Sequence, residues 1–348
     1  MKSITIRRPD DFHVHLRDET PENYELLKYV IGATASQFAR AVTMTNVRPP
    51  VRSGKRASEY HAMIRRHVAE LGYSGFEPIV PIMLCDGTTP HEIREARSEW
   101  GVRVAKALPS KTTTNSEIGV TDLLALKDVL WVMQEVGMVL SVHPQMPGGC
   151  IWTAEQEFML IIEKIASRYP RLRIVAEHIS TADSVVCISH MPDTVAATIT
   201  PQHLWLTISD LVGNAIKPHN ICNPPAKLPS DREMLRWAAM SRHPKFFLGT
   251  DSAPHPSVYK ECNIGRVGVF SAPVALPLLA QLFDRCEKLD RLEAFVSVFG
   301  AQHYGLPLNE GTITLVEKPF RVPTHYPCAQ NDRIIPLLAG EALEWSIA

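Results

Sequence analysis

Short apolar runs rich in β-branched residues recur along the chain, each parted from the next by a longer stretch with helical spacing. Eight such runs, at 12–15, 41–45, 78–84, 102–108, 139–143, 174–178, 196–200 and 246–251, predict strands. Most are continuous rather than alternating, the pattern of parallel strands covered on both faces. Between them, Thr153-Ala154-Glu155-Gln156 reads as a capping box, with Phe158, Ile161, Ile162 and Ile165 as the apolar stripe behind it and Pro170 as its stop. A second helix is expected over 123–136, closed by Gly137 where a left-handed conformation is wanted. Strand–helix alternation implies βαβ units, and eight of them imply an α/β fold of the (β/α)8 TIM-barrel type, with a doubly wound open sheet as the alternative. No repeat or low-complexity tract divides the chain, and Val47-Arg48-Pro49-Pro50 and Asn223-Pro224-Pro225 read as loops. Residues 1–348 are therefore expected to form a single domain, with a tail over about 307–348 packed on the outside of the barrel.

Composition narrows the function classes. With 45% hydrophobic and 21% charged residues the chain is ordinary for a globular protein. A net charge of −1 offers no basic surplus for nucleic acid or anionic membrane. Met1-Lys2-Ser3-Ile4-Thr5-Ile6-Arg7-Arg8-Pro9 lacks the apolar stretch of a signal peptide, and no run is long and apolar enough to predict a membrane span. Seven scattered cysteines, odd in number and without a Cys-x-x-Cys, point to reduced thiols and a cytoplasmic location.

The candidate chemistry sits at the ends of the apolar runs. His13 and His15 are one residue apart, so on a strand they face the same way and make half of a metal site. Lys106, His143, His178 and Asp251 each close, or nearly close, a run of their own. In a barrel these ends converge on one mouth, where catalytic sites lie. Any one histidine there is more often structural; five stations at one end are hard to produce by accident. Imidazoles with a carboxylate suit zinc. Lys106 repels a metal as an ammonium, but a buried lysine of lowered pKa can add carbon dioxide and become an anionic carbamate ligand. A lysine snorkelling to the barrel mouth is the other reading, and spacing does not separate the two.

These residues resemble the amidohydrolase superfamily and, within it, the shorter class II dihydroorotases. The matching segments are Arg8-Pro9-Asp10-Asp11-Phe12-His13-Val14-His15-Leu16-Arg17-Asp18, Ala105-Lys106, Thr113-Thr114-Asn115, Val175-Ala176-Glu177-His178, Ile199-Thr200-Pro201-Gln202-His203-Leu204 and Gly249-Thr250-Asp251-Ser252-Ala253-Pro254-His255. With Leu338-Ala339-Gly340-Glu341 they run in order over nearly the whole chain. The resemblance implies reversible cyclisation of N-carbamoyl-L-aspartate to dihydroorotate, in pyrimidine biosynthesis, by a homodimer. It implies two zinc ions: one more buried, held by His13, His15 and Asp251, and one more exposed, held by His143 and His178. Lys106, carried as N6-carboxylysine, would bridge them. A hydroxide between the metals would attack the ring carbonyl, with Asp251 as general base and then general acid. Arg17, Asn46 and His255 would hold the substrate carboxylate, Thr113 and Thr114 would cap it from a mobile loop, and Asn223 and Val267 would complete the substrate contacts.

Arg17 has a second reading as a surface ion pair with Asp18 or Glu19, Asn46 as a turn residue and His255 as a loop histidine. The chain also departs from the bacterial pattern. Pro144-Gln145 follows His143 where a Gly-Glu pair is usual, Asn223 replaces an apolar residue, and Lys111 adds charge to the loop. Another cyclic amidase, of hydantoinase or allantoinase type, or a non-catalytic scaffold remains the alternative on the residues alone.

Overall fold

A strand that the apolar pattern did not mark opens the chain in the computed structural model, which describes residues 2–328 and 331–348. Met1 and residues 329–330, part of the expected domain and tail, lie outside the described residues. This strand, β1 (Ser3–Arg7), buries fully only Ile6, so it carries no continuous apolar run. The barrel follows, from β2 (Asp10–Val14), β3 (Arg40–Thr43), β4 (Glu77–Ile79), β5 (Ile82–Met83), β6 (Val104–Ala107), β7 (Val139–Val142), β8 (Ile174–Ala176), β9 (Val195–Ile199) and β10 (Phe246–Leu248).

All barrel pairings are parallel, in the orders β2-β3-β4 and β5-β6-β7-β8-β9-β10. The run expected as one strand over 78–84 is two segments, broken at Val80-Pro81, because proline has no N–H to continue a ladder. Together β4 and β5 make one bent stave, so the ring has eight. It closes where the Asp251 N–H donates to the His13 carbonyl at 2.8 Å and the His15 N–H to the Ser252 carbonyl at 3.1 Å. Ring closure sets aside the open sheet.

Alternation along the staves decides what faces inward. Ala41, Ala105, Leu140, Ala197 and Leu248 belong to the core shared with the surrounding helices. Phe12, Val42, Val104, Val139, Val175, Ala196 and Phe247 pack together inside the ring, and Tyr304 stacks on Phe12 at 4.6 Å between centroids. Two residues further along each stave, Lys106, Ser141, Glu177 and Thr198 form a polar layer above this apolar plug. The stride of two reaches His143 and Asp251 at the top.

Helix ends follow local chemistry with one correction. Gly137 ends the helix Lys127–Glu135 at φ 66°, with the Met138 N–H on the Met133 carbonyl. Thr153 does not cap the helix Ala154–Arg168: its backbone is already helical (φ −118°, ψ −18°), and its hydroxyl donates to Glu157 at 2.6 Å. Glu155 instead turns inward, accepting from the Ser180 and Thr181 N–H groups.

The C-terminal strands are β11 (Thr312–Val316), β12 (Phe320–Arg321), β13 (Tyr326–Pro327), β14 (Arg333–Ile334), β15 (Ala342–Leu343) and β16 (Ser346–Ile347). β11 pairs antiparallel with both β1 and β16, and the fully buried Trp345 joins the main core. Among the described residues, no helix is long and apolar enough to cross a membrane.

Candidate active site

The polar layer opens onto a cluster of metal-type donors. Nε2 of His13 and Nε2 of His15 each lie 3.3 Å from the same oxygen, Oδ1 of Asp251. A break in strand register between Asp11 and Val14 lets His13 face inward although Phe12 does too. Gly249 permits the close approach beneath, since a Cβ there would stand 3.0 Å from the His13 Cβ and 2.9 Å from that of Thr198. His178, at the outward parity after Glu177, is swung in by a left-handed backbone (φ 40°); Asp251 has a similar φ of 45°. Such strain in non-glycine residues gathers at functional sites. Nδ1 of His143 lies 3.0 Å from Nε2 of His178, and the His13 and His178 rings are 5.0 Å apart.

Beneath them, the Nζ of Lys106 is in contact with Oε2 of Glu177, both side chains almost fully buried. Glu177 Oε1 accepts from the Ser141 hydroxyl and lies 3.3 Å from His13 Nδ1. Burial pushes the lysine well below its ordinary pKa, opposed by Asp251. It likewise lowers His15 to about 4 and His143 to about 3, so these rings are neutral lone-pair donors at pH 7. Burial alone raises Asp251, but the His13 and His15 rings, each 3.3 Å from its carboxylate, hold it well below the carboxylate range.

Arg17 turns inward, with φ 67°, and donates from Nε and Nη2 to the Pro254 carbonyl at 3.1 and 2.7 Å. Its Nη2 is 3.3 Å from His255 Nε2. The surface ion pair is thereby excluded: Asp18 accepts from Thr20, Asn23 and the Arg48 N–H, and Glu19 pairs with Arg66 and His67. Asn46 Nδ2 donates to the Thr114 carbonyl at 2.8 Å. His15, Arg17, Asn46, Thr114, His255 and Arg266 line one pocket of about 20 Å³, room for about one water. The segment Thr112–Asn115 thus closes the mouth.

The chain is 42% identical over 351 residues to a dihydroorotase of Microcystis aeruginosa, covering 100% of this chain and 99% of that one. The chain belongs to the dihydroorotase family. The crystal structure of dihydroorotase in complex with 5-fluoroorotic acid from Saccharomyces cerevisiae superposes with a TM-score of 0.90 at 31% identity, over 100% of this chain and 99% of that one. An L-hydantoinase from Arthrobacter aurescens, at 16% identity and a TM-score of 0.79 over 99% of this chain and 83% of that one, shares the fold. No family model matches the chain.

In this dihydroorotase family member, His13, His15, Lys106, His143, His178 and Asp251 meet around one centre. The expected division into a buried and an exposed metal is not seen in side-chain burial, since His143 and His178 are as buried as His13 and more so than His15. Thr113 is tied within its loop, its N–H on the Ser116 hydroxyl. Val267 stays half-buried beside Arg266 and does not enter the pocket lining. Asn223 binds the loop, donating to the Thr112 carbonyl at 2.9 Å. Glu177 and Arg266 were given no role by sequence reasoning, and Gln145 was noted only as a departure beside His143. Glu177 was legible, standing two residues beyond Val175 on an inward parity; the other two lie on loops without a period.

Proposed function

We propose that the chain catalyses the reversible closure of N-carbamoyl-L-aspartate to dihydroorotate, a step of pyrimidine biosynthesis. What supports this reading is one juxtaposition: donors suited to a divalent metal around Asp251, and Arg17 with His255 in the pocket that adjoins them. A hydantoin needs the first group alone; an orotate-like ring carrying a carboxylate needs both.

The residues fit a metal pair. Both ring nitrogens of His13 are buried without a hydrogen-bond partner, and Asp251 is ionised among neutral rings. Unsatisfied buried polar atoms are costly, and a cation would take up the lone-pair nitrogen of such a ring and the charge of Asp251. In this reading His13, His15 and Asp251 would hold one zinc and His143 and His178 the other, with carbamylated Lys106 as a ligand available to both. A buried neutral amine supplies the lone pair for the N–C bond to carbon dioxide, losing one proton as the carbamate forms. When bound, such a pair supplies Lewis acidity and a water that ionises at neutral pH.

The chain's own groups do the rest. Arg17 takes the substrate carboxylate with its guanidinium, anchored by Pro254. Neutral His255 offers a ring nitrogen beside it, its pKa well below the ordinary value through burial and the neighbouring Arg17. Asp251 accepts the proton of the attacking water at a carboxylate oxygen. It then returns that proton to the ring nitrogen as the C–N bond breaks, so one group is base and acid. Closure of Thr112–Asn115 excludes bulk water, and its opening admits substrate to a pocket otherwise too small for it.

The test is turnover of dihydroorotate and of N-carbamoyl-L-aspartate by purified protein, before and after metal removal and zinc return. Activity in both directions that is lost and restored with zinc is the expected result. Metal-bound protein inactive on both compounds would turn the reading to hydantoin-type substrates.

A further inference from the structure

Two of the positions at which this chain departs beside the site, Gln145 and Asn223, touch each other. Asn223 Nδ2 donates to the Thr112 carbonyl at 2.9 Å and to Gln145 Oε1 at 2.8 Å. Gln145 Oε1 lies 2.9 Å from Nε2 of His143, whose Nδ1 is 3.0 Å from His178. One backbone carbonyl decides every role in this chain of contacts. A carbonyl only accepts, so the Asn223 atom facing Thr112 is its NH2 group. That group has a second hydrogen, which it gives to Gln145, so the Gln145 atom facing it is the oxygen. An amide oxygen accepts two hydrogen bonds, so Nε2 of His143 carries the proton and Nδ1 keeps the lone pair.

We propose that Asn223 and Gln145 are positioning residues, a pair of amides through which the loop over the site fixes the tautomer of His143 and presents Nδ1 to the metal. The proposal rests on the metal-site reading above. It also gives the loop a purpose beyond covering substrate. When Thr112 is seated, the relay is complete; when the loop lifts, Asn223 loses one of its two acceptors and the orientation of Gln145 is no longer dictated. Partners of this kind on ligating histidines change metal affinity by about 10- to 100-fold.

The experiment measures zinc loss to a chelator and hydrogen exchange over residues 110–119, in the parent, Asn223→Asp, Asn223→Leu, Gln145→Leu and Gln145→Glu. Asn223→Asp keeps the shape but can only accept, so Gln145 turns its NH2 outward and leaves His143 without an acceptor. Zinc retention is expected to fall about 10- to 100-fold, as in Gln145→Leu. Asn223→Leu frees the loop yet leaves Gln145 able to keep its oxygen on His143. Exchange over 110–119 then quickens, and zinc retention falls, though by less than in Asn223→Asp. Gln145→Glu, an obligate acceptor, retains zinc as the parent does, which separates orientation from folding. A relay is overturned if Asn223→Asp and Gln145→Leu hold zinc like the parent. A parent that binds no zinc overturns the metal-site reading instead.

Discussion

The N–H of Asp251 donates to the carbonyl of His13 at 2.8 Å, and their side chains meet again where Asp251 Oδ1 lies 3.3 Å from His13 Nε2. The hydrogen bond that closes the barrel therefore also sets the distance between the proposed base and a proposed metal ligand. Asp251→Asn keeps the shape and the backbone bond but removes the charge and the proton acceptor. The expected outcome is a drop in kcat of about 10²–10⁴-fold with little change in far-UV circular dichroism. A variant with parental kcat would show that another group moves the proton.

Lys106→Ala tests the bridge. The side chain is almost fully buried against Glu177, so its loss removes the bridging group and leaves Glu177 without that contact in the barrel interior. Zinc content should fall, and most activity with it. Intact-mass measurement should show a carbon dioxide adduct on the parent that Lys106→Ala lacks. Near-parental activity in the variant would sink the binuclear scheme.

Arg17→Ala should act on binding more than on turnover. Removing a charge-assisted pair costs about 1.5–3 kcal/mol, hence a KM about 10- to 100-fold higher with kcat less affected. An unchanged KM would place the carboxylate elsewhere.

Acid should destabilise the metal-free protein. His15 and His143 are buried neutral, with pKa lowered from 6.5 to about 4 and about 3, so between those values and 6.5 the unfolded chain binds more protons. Stability is then lost as pH falls below 6.5. Asp11 has the opposite sign. Burial raises it from 3.8 to about 6, against bonds from Thr250 and His13, so its folded form gains protons first and stability rises as pH falls through that window. A shift of two pKa units is on the order of 3 kcal/mol, so two histidines outweigh one aspartate. Urea midpoints from pH 7 to pH 4.5 should fall, and more steeply in Asp11→Asn. A flat profile in the parent would contradict the buried neutral rings.

How much of this was legible before folding varies by residue. Lys106, His143 and Asp251 follow from period two, since each stands a multiple of two beyond an inward apolar residue on its stave. His178 breaks that parity and reaches the centre only through its left-handed φ, which no apolar pattern carries. The stave over 78–84 was read as one strand although Pro81 in its middle signals the break. β1 and the C-terminal strands were missed because each is short and half-exposed, and β1 pairs with β11 at the far end of the chain.

Closure into a ring was decided by the tertiary structure. The order and spacing of the apolar runs, with a polar residue at the end of each, by themselves determined a series of βα units and the donor types at the strand ends. These are local properties: burial on two faces selects β-branched runs, and the inward stride of two follows from strand geometry. Tertiary structure alone decided which donors share an oxygen, that Arg17 faces His255 rather than Glu19, and that Thr112, Asn223, Gln145 and His143 form one line of contacts. Those outcomes depend on ring closure and loop seating, where hydrogen bonds join groups that are distant along the chain and leave no period in it.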